Sequence, residues 1–115
     1  MIERYVEFVI DDIGCPKHLK GYDQLKEVII RHIKNPSENI CTSYKMVARE
    51  FEVIGSRIER NIRSIVEWVL DNCDHSKINN YFGNSLRISG GITNKQFVVT
   101  LAVIAERMSR EEKLC

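Results

Sequence analysis

Apolar residues recur along most of this chain at intervals of three and four, and that spacing leaves little choice of backbone. Ile58, Ile62, Ile65 and Val69 form the clearest run. At about 100° per residue they collect on one side of an α-helix, whereas in a strand they would divide between both faces. Ile2, Tyr5, Val6, Val9, Ile10 and Ile13 repeat the pattern, as do Tyr22, Leu25, Val28, Ile29 and Ile33. Tyr44, Val47, Ala48 and Phe51 do so over a shorter span, and Phe97, Leu101, Ile104, Ala105 and Met108 again near the end. A chain written in this period folds as packed helices.

Local signals divide the stripes. Gly14, Pro16 and Gly21 separate the first helix from a second over Tyr22 to Lys34, which the Asn35-Pro36 pair stops. A third helix is expected from Ser43 to Phe51, and a long fourth from about Ile54 to Asn72. Ser76 is the expected cap of a short fifth helix ending near Phe82 and Gly83. The run "GNSLRISGG", residues 83–91, reads as an irregular or hairpin-like connection. Thr93-Asn94-Lys95-Gln96 fits a capping box and starts the sixth helix, whose tail "SREEKL" is expected to fray. The opening "YVEFVIDDIG" superficially matches the first strand and acidic pair of a phosphorylation receiver domain. Its helical spacing argues instead for a helix with Asp11 and Asp12 on the solvated face. The reading is all-α: one domain over residues 1–115, about six helices, no internal repeat and no receiver domain.

Composition narrows the function classes. With 43% hydrophobic and 29% charged residues the chain is an ordinary globular sequence. It carries neither an apolar run of membrane-spanning length nor a signal-peptide pattern, so a cytoplasmic location is expected, without a membrane partner. Cys15, Cys41, Cys73 and Cys115 form no C-x-x-C pair, and Cys73 with His75 lacks a second ligand pair, so no metal site and no cofactor are expected. No nucleophile, base and orienter can be named together, so no catalytic residue is assigned and an enzyme is not expected. Net charge is only +1, but residues 1–14 sum to −3 while residues 15–34 sum to +3 and 45–63 to +2. That distribution allows one basic face.

The stretch "SRIERNIR", residues 56–63, places Ser56, Arg57, Arg60 and Arg63 nearly opposite the isoleucine stripe. Three uses compete: a solvated face with Glu59 and Arg63 as an i,i+4 pair, a protein-binding surface, or a DNA-reading helix. Arginine can donate two hydrogen bonds to guanine O6 and N7, and glutamate can accept from cytosine N4. The preceding segment fits a helix-turn-helix. Ala48 is small enough for a close crossing, Val47, Phe51, Val53 and Ile58 supply apolar flanks, and Glu52 stands where a turn glycine is common. Ser56-x-x-Glu59 also fits a capping box. A helix starting at Ser56 would occupy both side chains, and one starting nearer Val53 or Ile54 would free them.

Several ordered segments carry a resemblance: "IGCPKHLKGY" at 13–22, "VAREF" at 47–51, "SRIERNIR" at 56–63, "NNYFG" at 79–83 and "TNKQF" at 93–97. Together they resemble the C-terminal DNA-binding effector domain of the sporulation stage-zero response regulator, over almost the whole chain. The resemblance implies six helices with an embedded helix-turn-helix and sequence-specific binding of duplex DNA in the major groove. It implies base contacts from Ser56, Arg57, Glu59 and Arg60 on a helix beginning near Ile54–Ser56, with Arg63 on a phosphate. It also implies tandem pairs on DNA and a contact with RNA polymerase sigma factor through Ser76–Ser85. Lys95, near free amides at the start of the sixth helix, is a second candidate phosphate contact. The alternative function is a protein-interaction module that engages polymerase without reading bases.

Overall fold

The computed structural model describes residues 1–83 and 91–114. Six helices follow one another: α1 (Ile2–Asp12), α2 (Tyr22–Lys34), α3 (Ile40–Glu50), α4 (Gly55–Asn72), α5 (His75–Phe82) and α6 (Asn94–Leu114). The all-α expectation therefore holds among the described residues. Most of the 83–91 connection lies outside them.

Helix boundaries follow from caps more than from stripes. α3 begins three residues before the predicted Ser43, because the Asn39 side chain accepts the Cys41 amide at 2.8 Å and starts the helix there. α5 is capped by Asp74, whose carboxylate accepts the Ser76 amide at 2.8 Å, so Ser76 is inside the helix and not its cap. The α6 capping box forms in both directions: Gln96 N donates to Thr93 Oγ1 at 3.0 Å, and Thr93 N donates to Gln96 Oε1 at 2.9 Å. Contrary to expectation the tail of α6 stays helical to Leu114. Arginine, glutamate, lysine and leucine there are all good helix formers, and Ser109 is buried within the tail.

α6 is the spine, with α1, α2, α4 and α5 packed on it, while α3 lies across α4 and α2. Phe97, Leu101 and Ala105 of α6 meet Val6, Val9 and Ile10 of α1, Leu25 and Ile29 of α2, and the α4 stripe in one buried cluster. Burying each larger side chain contributes about 1.5–3 kcal/mol. Phe97 also stacks on Phe82 at 5.4 Å between ring centres, which seats α5. Trp68 packs half-buried against the same cluster.

Asp11 and Asp12 are not merely a solvated face. Asp11 accepts the Tyr22 hydroxyl at 2.7 Å, tying α1 to α2. Asp12 accepts Lys77 Nζ at 2.6 Å and the Tyr81 hydroxyl at 2.7 Å, tying α1 to α5. These bonds hold the Asp12 carboxyl below its usual range, the Lys77 bond most and the Tyr81 bond next. Periodicity alone could not show this, because the partners come from other helices.

Candidate nucleic-acid interface

α3 and α4 form a helical corner, and its turn has a defined geometry. Val53 N donates to the Ala48 carbonyl at 3.0 Å and Glu52 N to the Arg49 carbonyl at 3.4 Å. Those are the six-to-one and five-to-two bonds of a Schellman motif, in which the residue after the C-cap is left-handed. That residue is Glu52, with φ +56°. The same motif closes α1, where Cys15 N donates to the Ile10 carbonyl and Gly14 N to the Asp11 carbonyl, but there Gly14 holds the left-handed position at φ +103°. Hence the turn conformation keeps its form without the expected glycine.

The two helices approach closely. Ala48 is buried, and a Cβ on Gly55 would lie 3.3 Å from Lys45 Cγ. The start of α3 is braced separately. Arg31 donates from Nε and Nη2 to both Glu38 oxygens at 2.6 and 2.8 Å, and Ser43 Oγ donates to Glu38 Oε1 at 2.8 Å. The Arg31 hydrogen bonds, then the Ser43 bond, push the Glu38 carboxyl down to about 2.

α4 is gripped from three directions. Ile58, Ile62, Ile65, Val66 and Val69 are buried beneath it. On one flank the start of α2 abuts it: a Cβ on Gly21 would sit 2.7 Å from Asn61 Cβ, and Asn61 Nδ2 donates to Gln24 Oε1 at 2.8 Å. On the other flank the start of α6 reaches over, with Asn94 Nδ2 donating to the Glu59 carbonyl at 3.1 Å. Arg63 Nη1 donates to the Ile92 carbonyl at 2.8 Å.

Ile54 is the N-cap of α4, without a side-chain cap bond. The helix thus starts before Ser56, which resolves the two alternatives left by the sequence. Ser56, Arg57, Glu59 and Arg60 are all exposed, and their side chains make no hydrogen bond or ion pair among the described residues. Arg63 differs. It is half-buried, held by Ile92, and has Glu67 at 3.9 Å from its Nε. Exposed Lys95 lines a hollow with Arg63, Glu59, Tyr44 and Asn94, so the two expected phosphate contacts share one site. Burial raises the Tyr44 hydroxyl there to about 12, keeping it protonated.

Sequence reasoning missed Asn61 and Asn94. Asn61 is a polar residue with 8% exposure on the seam between α4 and α2, and Asn94 follows the α6 cap. Asn61 carried a weak signal, an amide set directly beside Ile62 of the stripe.

A small all-α domain whose fourth helix is fixed on three sides, with arginines turned outward, is a helix-turn-helix effector module. A family model described as Sporulation initiation factor Spo0A C terminal matches residues 6–107, and the chain belongs to that family. It is accordingly a DNA-binding domain of the transcription-regulating, response-regulator effector type associated with sporulation. No helix among the described residues is long and apolar enough to cross a membrane.

Proposed function

We propose that the domain binds duplex DNA sequence-specifically by setting the first turns of α4 into the major groove. Arg57 and Arg60 each present a guanidinium fork to guanine O6 and N7, Glu59 accepts from cytosine N4, and Ser56 bonds whichever base lies beside it. Arg63 and Lys95 contact a backbone phosphate at the shared hollow, helped by free amides at the start of α6. The domain acts in the cytoplasm, where the chromosome of a sporulating bacterium lies.

One observation carries the reading. Lys26, Arg31 and Lys77 all engage carboxylates on neighbouring segments at 3.0 Å or less. Arg57 and Arg60, on a helix held from three sides, engage none among the described residues. Other exposed cations, Lys45 and Arg49 among them, are also without an ion pair among the described residues. Arg57 and Arg60 differ in standing one turn apart at the exposed start of a helix held from three sides, which suits an external anionic partner with base edges to read. Selection of bound duplexes from a random pool, followed by shift assays on the selected site, tests this. Arg57→Ala and Arg60→Ala should each weaken cognate binding by roughly 1–3 kcal/mol and blur one or two base pairs. Equal losses on cognate and random duplexes would overturn the base-reading roles.

A second role has its own support. α5 exposes Ser76, Asn79 and Asn80 around buried Ile78 and Phe82. A polar ridge anchored by an apolar underside suits the sigma-factor contact implied by the resemblance, although its far end, at Ser85, lies outside the described residues. Two domains bound in tandem would place two such ridges along one promoter. Ser76→Arg and Asn80→Arg should leave the shift assay unchanged and lower transcription from a cognate promoter; unchanged transcription would remove this role.

A further inference from the structure

Ile54 is 72% exposed at the front of α4. Isolated exposed apolar residues are common and usually need no account, but this one occupies a position with a chemical preference. N-caps favour serine, threonine, aspartate or asparagine. This chain follows that rule at Asn39, Asp74 and Thr93, whose side chains each accept a backbone amide, while α1 and α2 start at Met1 and Gly21 without a side-chain cap bond. Ile54 has extended backbone, φ −86° and ψ 155°, and its carbonyl accepts the Arg57 amide at 3.0 Å. Its side chain therefore neither caps the helix nor enters the core. It shares the wall of a shallow hollow with Lys20, Gln24 and Arg57, so it stands beside a proposed base-reading arginine.

Base edges in the major groove offer one large apolar feature, the C5 methyl group of thymine. The N-terminal residues of a recognition helix are the ones that reach those edges. We propose that Ile54 is a specificity-determining residue that packs on a thymine methyl adjoining the base pair read by Arg57. This rests on the DNA-reading role of α4 given above, and adds an apolar contact to its polar ones. The geometry fits: Ile54 precedes Arg57 by three residues, and its extended backbone turns the side chain away from the α4 stripe and into solvent.

The test uses the selected duplex with each thymine replaced in turn by deoxyuridine, which pairs identically and lacks the methyl group. At a thymine beside the position blurred by Arg57→Ala, the replacement should weaken the unaltered protein about fourfold, the effect of uncovering one methyl group. Ile54→Ala and Ile54→Ser should bind both duplexes equally. Ile54→Ser supplies a capping hydroxyl and should melt higher than Ile54→Ala, so its loss of preference is not a loosened helix. The proposal fails if no thymine stands beside that position, if the unaltered protein is indifferent to every replacement, or if Ile54→Ser keeps the preference. Failure of the underlying reading looks different: no duplex is enriched, or Arg57→Ala binds cognate and random sequences with equal loss, and the proposal falls with it.

Discussion

Glu52 at φ +56° offers a direct measurement of backbone strain in the turn before α4. For a residue with a Cβ the left-handed region costs roughly 1–2 kcal/mol, and glycine escapes this. Glycine also loses more backbone freedom on folding, about 0.5–1 kcal/mol. The balance leaves Glu52→Gly more stable by about 0.5–1 kcal/mol. With an unfolding entropy near 2.1 cal/mol/K per residue over 115 residues, that raises the melting temperature by roughly 2–4 °C. The exposed Glu52 side chain makes no bond among the described residues that the substitution would remove, so the backbone term stands alone. Glu52→Ala is the control: it deletes the same carboxylate but keeps a Cβ in the left-handed region, and should stay within about 0.5 kcal/mol of the parent. Urea denaturation of the three proteins, analysed at constant m-value, is the assay. If Glu52→Gly is no more stable than Glu52→Ala, the turn is not strained and the reasoning fails.

Other substitutions probe the supports. Gly21→Ala forces a Cβ to within 2.7 Å of Asn61 Cβ at φ +94°, and should cost about 2 kcal/mol in a denaturation experiment while weakening DNA binding without altering the preferred site. For Glu38, a carboxyl held at about 2 when folded and near 4.5 when unfolded contributes stability that is fully present above about pH 4.5 and is lost as pH falls toward 2. Melting temperature against pH should accordingly fall less steeply across that window in Glu38→Gln than in the parent. Lys95→Ala should weaken all duplexes alike and make the log–log salt dependence shallower by about 0.9. Arg63→Ala should do the same if its free N–H groups meet a phosphate; lowered stability with an unchanged salt slope would make it only a strut to the Ile92 carbonyl.

The helical class and the orientation of α4 were legible in the sequence because both depend on period. Ile58, Ile62, Ile65 and Val69 are buried as their spacing requires, and Arg57 and Arg60 are exposed on the other side. The capping box at Thr93 was legible because it is a local exchange between two residues. Contacts between helices were not. Asp12 to Tyr81, Asn61 to Gln24 and Arg63 to Ile92 span 69, 37 and 29 residues, and no local pattern encodes such meetings. The start of α4 lay between these cases. Ser56-x-x-Glu59 satisfied a cap pattern, yet the chain enters the helix two residues earlier, with Gly55 fitting against Lys45.

The two breaches of local rule around the corner fall together. α3, α5 and α6 start on side chains that cap, α1 and α2 start at Met1 and Gly21 without a side-chain cap bond, and α1 ends on a glycine in the left-handed position. The short turn before α4 instead holds a glutamate at positive φ and an isoleucine as N-cap. Together these forgo roughly 2 kcal/mol of local stability. Packing restores it. Five buried apolar residues lie along α4, and bonds from Gln24, Ile92 and Asn94 close its flanks, so the helix is held from its sides and not from its own start. A start relieved of structural duty is free to carry side chains chosen for another purpose, and breaches of local rule in natural proteins concentrate at functional sites. By that logic the residues least suited to folding here, Glu52 and Ile54, point to the same end of α4 that is proposed above to meet DNA, and they do so independently of the arginines beside them.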